Sequence, residues 1–460
     1  MMTYSWLVPL IVFVAVIVLM IIAISRWKIH PFLSILGSAL VLALLMGIPL
    51  RSVADVIGRG FSTIFASIGL VIILGTLIGL ILEKSGAAMR LAEAVLRRLG
   101  KKHPQLAIML IGWIVSIPVF CDSGFVIVNP IRKWMSRKSG VSSVTMTVAL
   151  AAGLYAAHVF IPPTPGPVAA AGMVGLGDNL MLVILVGVAL SVFPLSAAYI
   201  FANRVGKKVH SSDETEDADI AELIDGKNLP SALLSVLPII VPIVFMGIGS
   251  LVSVLKLEGI VADILFMLGK PVIALAIGVI CALPLLKFIR KDVKAASSGL
   301  YAITEDTLRT AGPIVFITAA GAVLGQVIYD AGFVELIKSN ANFFSALGIL
   351  FPFLIAAILK TAQGSSTVAM TTTAGIMGMF SSSESLMSAL GMTTPLSAAF
   401  VVMAIGAGAM TVSHANDSYF WVVTRLGGLN VKDGYRTQTK VTLIMGVVSA
   451  AVLYVASLMI

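Results

Sequence analysis

Pro118-Val-Phe-Cys-Asp-Ser-Gly124 lies at the centre of an apolar stretch, about residues 105–134, that starts after Lys101-Lys102 and ends at Arg132-Lys133. Lys and Arg collect in the cytoplasmic connections of membrane proteins, so both ends of this stretch fall on one side. One crossing takes about 20 residues, which makes the stretch too long for a single span and too short for two. A proline, an acid, a hydroxyl and a glycine at its centre suit the turn of a re-entrant hairpin. Backbone that leaves the helix at membrane depth is tolerated only where protein buries it or a wet cavity receives it. A second stretch, about 343–380, has Lys360-Thr-Ala-Gln-Gly-Ser-Ser-Thr367 at its centre and no basic flank, so it enters from outside.

The rest of the chain agrees with a membrane setting. Of 460 residues, 58% are hydrophobic and 12% charged, and the mean hydropathy is +1.05. A soluble chain carries about 25% charged residues. A soluble enzyme, a nucleic-acid binder and a disulfide scaffold are thereby excluded. Cys121 and Cys281 both lie in apolar runs and offer no metal pattern. The first run, Leu7 to Ile24, is long and lacks a basic leader, and reads as a retained helix. Further spans fall near 32–50, 62–82, 141–175, 180–203, 231–254, 271–289, 311–329, 397–424 and 438–460. The net charge of +9 comes from cations crowded into alternate connections, such as Arg97, Arg98, Lys101 and Lys102, or Arg204, Lys207 and Lys208. That pattern predicts a multi-pass protein of the bacterial inner membrane with both termini outside.

Gly75-x3-Gly79-x5-Ser85-Gly86 recurs as Gly321-x3-Gly325-x5-Ala331-Gly332. Alone, either copy signals only close helix packing. As a pair on oppositely directed spans, they predict two inverted-topology repeats, an architecture of secondary transporters. The expected organisation is scaffold helices in 1–60, a first repeat in 61–203, an acidic cytoplasmic linker in 204–230 and a second repeat in 231–460. The linker holds seven of the 22 acidic residues, from Asp213 to Asp225, and reads as solvated. Each hairpin precedes an interrupted helix, broken at His158-Val-Phe-Ile-Pro-Pro-Thr-Pro-Gly-Pro167 and at Ser413-His-Ala-Asn-Asp-Ser418. Four polar interruptions paired across two repeats converge on one midplane site. The expected class is an all-α polytopic membrane protein.

Phe120-Cys-Asp-Ser-Gly-Phe125, the proline-rich break, Gly364-Ser-Ser-Thr-Val368, Ser413-His-Ala-Asn-Asp417 and Phe420-Trp421 together resemble the gluconate permease (GntP) family of the ion transporter superfamily. The resemblance covers essentially the whole chain. It implies a proton-coupled importer of gluconate or a related small hydroxy- or amino-carboxylate, with no cofactor. It also implies a homodimer whose hairpin-bearing domain moves as an elevator. Two positions depart from the family pattern, Thr164 where His is expected and Lys360 where Arg is expected. They leave open which acid is carried.

Individual residues have two readings each. Asp122 is an acid inside the membrane, where a charge costs about 2.5–3.5 kcal/mol on insertion scales, so it is a candidate carrier of the coupling proton. Capping the returning arm is its structural alternative. His158 can shuttle a proton or bind substrate, or bond a carbonyl freed by the break, and His414 leans to the structural role. Lys360 is a candidate counter-charge for a substrate carboxylate or for Asp122, against snorkelling. Ser123, Gly124, Gly364, Ser365, Ser366 and Thr367 begin the returning arms, where helix N-termini attract anions and hydroxyls can read a polyol. Thr164, Gly166, Asn416 and Asp417 follow the same logic at the breaks. No metal site is expected.

Other readings remain open at this point. A sodium-coupled dicarboxylate or citrate carrier and a D-serine or glycerate permease share the architecture. An intramembrane enzyme is disfavoured, because His-Glu-x-x-His and Gly-x-Ser-x-Gly are absent. A receptor would need an output domain beyond the short linker. The amphipathic 87–103 segment reads as an interfacial helix.

Overall fold

A computed structural model describes residues 7–91, 103–215, 229–289, 299–332, 347–414 and 417–459. Residues 92–102 of the 87–103 segment, 216–228 of the acidic linker, the start of the second hairpin stretch and Asn416 lie outside the described residues. The chain is helical throughout its described elements. Among the described residues, six helical stretches are long and apolar enough to cross a membrane, including Ser143–Met173 and Leu180–Val205. This is a multi-pass membrane protein.

The helices form two groups, an outer and an inner body, joined by extensive packing. The outer body holds α1 (Leu7–Ser25), α2 (Pro31–Leu45), α3 (Leu50–Ile64) and α4 (Leu70–Lys84). To these it adds α10 (Ala232–Val254), α11 (Ile260–Gly269), α12 (Pro271–Ala282) and α13 (Leu300–Asp330). Long α13 runs against α2, α3 and α4, and α12 joins α10 to α4. Arg59–Asp330 at 3.0 Å and a Lys84–Asp306 pair fasten α3 and α4 to α13. Helix α3 carries Arg51, Asp55 and Arg59, so hydropathy alone locates only α4 of this stretch.

The inner body holds α5 (Pro104–Val115), α6 (Cys121–Ser139), α7 (Ser143–Phe160), α8 (Pro165–Met173) and α9 (Leu180–Val205). It continues with α14 (Leu350–Gln363), α15 (Ser366–Met377), α16 (Leu386–Ala389), α17 (Pro395–Met410), α18 (Ser418–Leu426), α19 (Val431–Gly434) and α20 (Lys440–Ser457). Helices α5 and α6 form one hairpin around the 116–120 turn, and α14 and α15 form another around Gly364-Ser365. Pairs α7/α8 and α17/α18 are the interrupted helices. Every residue of α7 and α8 is buried. Their sequences explain this: alanine and glycine dominate, and in lipid, close van der Waals approach rather than hydrophobic drive holds helices together. A Cβ on Gly153 would lie 2.0 Å from the Met109 carbonyl oxygen of α5, and one on Gly408 would lie 2.2 Å from that of Phe353 in α14.

The repeated glycine pairs have separate partners. Gly75 and Gly79 of α4 press on the carbonyls of Pro163, in the α7/α8 break, and Pro118, in the first hairpin turn. Gly321 and Gly325 of α13 press on α15 at Thr371 and Gly375.

One buried ionic cluster was not expected of the linker. Arg132 of α6 is fully buried, bonded to Asn129 Oδ1 (2.7 Å), Ser143 Oγ (2.5 Å), the Leu426 carbonyl (3.3 Å) and Asp213. Lys133 also reaches Asp213, at 3.0 Å. Ser211 donates to the Gly427 carbonyl at 2.7 Å, and the Ser212 amide to that of Gly428 at 3.0 Å. The first residues of the linker are therefore docked, not solvated, because a buried guanidinium requires a counter-charge.

The packing of α13 on α15 makes a paired prediction. Gly325→Ala puts a methyl 2.1 Å from the Gly375 carbonyl oxygen, and overpacking of this kind costs about 1–3 kcal/mol. Gly58→Ala in α3 meets nothing within 4 Å and gains about 1 kcal/mol of helix propensity. Thermal melting in detergent should therefore drop for the first and hold or rise for the second.

Candidate functional site

The two hairpin turns and the second break meet α7 around a cavity of about 280 Å³. Its lining comes from the starts of three helices: Phe120, Cys121 and Asp122 at α6, Ser365, Ser366 and Thr367 at α15, and Asp417, Ser418 and Tyr419 at α18. Tyr155 and His158 of α7 and Gly364 complete it. Each helix start presents amide hydrogens that the helix itself leaves unused, and the positive end of its dipole. Three such ends around one small cavity make an environment for an anion. The size suits a small molecule, below the range of drug-sized pockets.

Local sequence accounts for each wall. Gly364, at φ +90°, ends α14 in a left-handed conformation that a side chain would resist, which lets the chain reverse within two residues. The Ser365 hydroxyl then caps α15 by accepting from the Val368 amide at 3.3 Å. Asp417 caps α18 through the Tyr419 amide at 3.0 Å. In the first hairpin Phe120 holds the capping position without a side-chain bond. Asp122 is therefore not the cap.

The charged groups divide into a pair and a single acid. Lys360 Nζ lies 2.7 Å from Asp417 Oδ2, with the two side chains 1% and 6% exposed. Lys360 also donates to the Gly364 carbonyl and sits 5.8 Å from the centre of the Tyr155 ring. The Ser413 hydroxyl donates to Asp417 at 2.5 Å. Lys360 thus ties the second hairpin turn, the second break and α7 together from behind the cavity wall. Asp122 has no ion-pair partner among the described residues. The Ser418 hydroxyl faces its carboxylate, while Oδ1 is buried with no hydrogen-bond partner among the described residues. His158 stacks on Tyr155 with ring centres 6.3 Å apart, and its Nδ1 likewise lacks a partner there.

The remaining sequence candidates lie apart from the cavity lining. Ser123 turns toward Glu83 of α4, and Gly124 packs on Leu154. The Thr164 hydroxyl donates to the Ile161 carbonyl at 2.5 Å, inside the break. Gly166 packs on Met370. His414 Nε2 lies 2.9 Å from the Thr361 carbonyl oxygen and joins the second break to α14. Tyr155, Tyr419 and Ser418 line the cavity without having been singled out in the sequence. Tyrosines in apolar helices read as core, and their hydroxyls are indeed engaged, with Ala409 O at 3.4 Å and Ala151 O at 3.0 Å. Among the described residues no group of three His, Cys, Asp or Glu could hold a metal ion.

The family described as GntP family permease matches residues 8–459. The chain belongs to the GntP permease family. A permease of Haemophilus influenzae is 34% identical over 439 residues, 92% of this chain and 86% of its own length. The gluconate permease of Pseudomonas aeruginosa is 28% identical over 443 residues, 95% of each chain. Among solved structures, the YdaH transporter of Alcanivorax borkumensis superposes with a TM-score of 0.63 at 15% identity, over 93% of this chain and 98% of its own. That likeness concerns the fold alone. A GntP permease is a transport protein, so the enzyme and receptor readings are set aside.

In this GntP permease, Lys360 and Asp417 should behave as a unit. Removing one charge from a buried pair leaves the other uncompensated, at about 3–5 kcal/mol. Lys360→Met and Asp417→Asn are each expected to lower the melting temperature sharply, and the double variant to recover much of the loss. Strict additivity in that double-mutant cycle would mean that the two charges are not coupled.

Proposed function

We propose that this protein is a secondary active transporter of the bacterial inner membrane that imports gluconate or a related small hydroxy-carboxylate together with a proton. The observation that carries the reading is the unpaired Asp122 carboxylate in a cavity whose other charges cancel. With Asp122 ionised, an incoming carboxylate would meet a like charge a few ångströms away, costing about 3 kcal/mol at an effective dielectric of about 20. Protonation removes that charge and turns Asp122 into a hydrogen-bond donor. The cavity then offers an anion three helix N-termini, a neutral acid and the hydroxyls of Ser365, Ser366, Thr367 and Ser418. Proton and substrate must enter together. The name of the Pseudomonas relative supports gluconate as the first substrate to test, and the hydroxyl-rich lining supports a polyol chain.

The two halves act as inverted repeats in this reading. Helix α5 packs on α7 as α14 packs on α17, and α9 on α7 as α20 on α17. Each returning arm reaches across to the other half's broken helix, α6 to α18 and α15 to α8. Every wall of the cavity belongs to the inner body, which supports that body carrying the site past α1–α4 and α10–α13. The distribution of Lys and Arg supports an orientation with both termini outside.

A proton moving with a monocarboxylate carries no net charge, so the pH gradient drives uptake and the electrical potential does not. In proteoliposomes, one unit of inside-alkaline gradient should support about tenfold accumulation of labelled gluconate, unchanged by a potassium–valinomycin potential or by sodium. Asp122→Asn should lose concentrative uptake yet keep exchange of internal for external substrate. Accumulation that tracks sodium and ignores an uncoupler would transfer the coupling to a cation. Wild-type accumulation by Asp122→Asn would remove Asp122 from the mechanism.

A further inference from the structure

Sharing no residue with the cavity lining, α5 and α9 leave a groove of about 580 Å³ on the surface of the inner body. Leu106, Leu110 and Trp113 form one wall, and Val188, Val192 and Ile200 the other. Val192 and Ile200 are 60% and 50% exposed. Ser191 and Ser196 also line it, but each hydroxyl donates at 2.7 Å to the carbonyl four residues earlier. The groove thus presents hydrocarbon along its length. From Val188 to Ile200 it follows twelve residues of helix, about 18 Å. One leaflet of a bilayer has a hydrocarbon depth of about 15 Å.

Only one end is polar. There Gln105 donates to Asn203 at 3.3 Å, bridging the two helices. His103, which starts α5, lines the groove and is exposed, and Arg204, Lys207 and Lys208 are exposed at and just beyond the end of α9. No acidic residue stands among the groove's lining. An apolar slot one leaflet deep, closed at one end by cations, has the form of a phospholipid with a negative headgroup.

We propose that this groove is a binding site for an anionic phospholipid, with one acyl chain between α5 and α9 and the phosphate at Lys207 and Lys208. A zwitterionic lipid fills the slot equally well but leaves the excess cationic charge at its mouth uncompensated. The site does not depend on which acid the protein carries or on what drives it.

The test is native mass spectrometry of the full-length protein in mild detergent, titrated with phosphatidylglycerol or with phosphatidylethanolamine of the same acyl chains. Phosphatidylglycerol should be retained preferentially. A basic residue near a membrane surface contributes about fivefold in affinity, so Lys207→Ala/Lys208→Ala should weaken phosphatidylglycerol binding about thirtyfold and leave phosphatidylethanolamine unaffected. Ser196→Trp, which fills the slot and leaves the cations in place, should reduce retention of both lipids. Melting curves without added lipid identify any variant that fails to fold, and each of the two variants tests the site independently. Equal retention of the two lipids by the wild type overturns the proposal. So does undiminished phosphatidylglycerol binding in either variant, or a lipid-free dimer that Ser196→Trp dissociates, which would give the groove to a second copy.

Discussion

The ion pair between Lys360 and Asp417 is the constraint around which the inner body is arranged. Neither charge could be held there alone, since an isolated ion in such surroundings costs several kcal/mol. Together they fix two pieces of irregular backbone. Lys360 takes up the carbonyl of the left-handed Gly364, and Asp417 takes up the amide of Tyr419 and the hydroxyl of Ser413. The second hairpin turn and the second break are thereby satisfied by each other, as irregular backbone inside a membrane must be. Among the described residues the first hairpin turn has no such ion pair. It is braced by Pro118 against Gly79, and its acid is left facing the cavity.

Much of this organisation is legible in the sequence because the membrane makes composition informative. Turns at Pro118-Val-Phe-Cys-Asp-Ser-Gly124 and around Gly364 are marked by polar and helix-breaking residues in otherwise apolar stretches. The same holds for the breaks at 161–164 and 411–417. Amphipathic elements are harder to read: α3 carries enough charge to resemble a loop, and short α11 falls below the length of a span.

Partnership is the least legible level. Lys360 is visible as an anomalous cation, yet nothing local distinguishes Asp417 from Asp122 as its partner, since that choice depends on the fold. Arg132 and Lys133 illustrate a different difficulty. As basic residues at the end of an apolar stretch they read as markers of sidedness, but Arg132 is fully buried and draws Asp213 out of the linker. Ser123 and Gly124 adjoin Asp122 in sequence, yet helix rotation turns them to Glu83 and Leu154 instead. Tyr155 and Tyr419 carry no local signal at all, because an aromatic ring in a buried helix looks the same whether it borders a cavity or fills the core.

The contact of α13 with α15 has a mechanical consequence. Helices that interlock through side chains resist sliding, because every ridge must climb out of its groove before the next registry is reached. At Gly321, Gly325 and Gly375 main chain lies directly on main chain, with a carbonyl oxygen where a side chain would stand. In the proposed transport cycle, such a seam offers few side-chain ridges to displacement along it. The two bodies are held there by proximity rather than by interdigitation, like a bearing surface rather than a zipper.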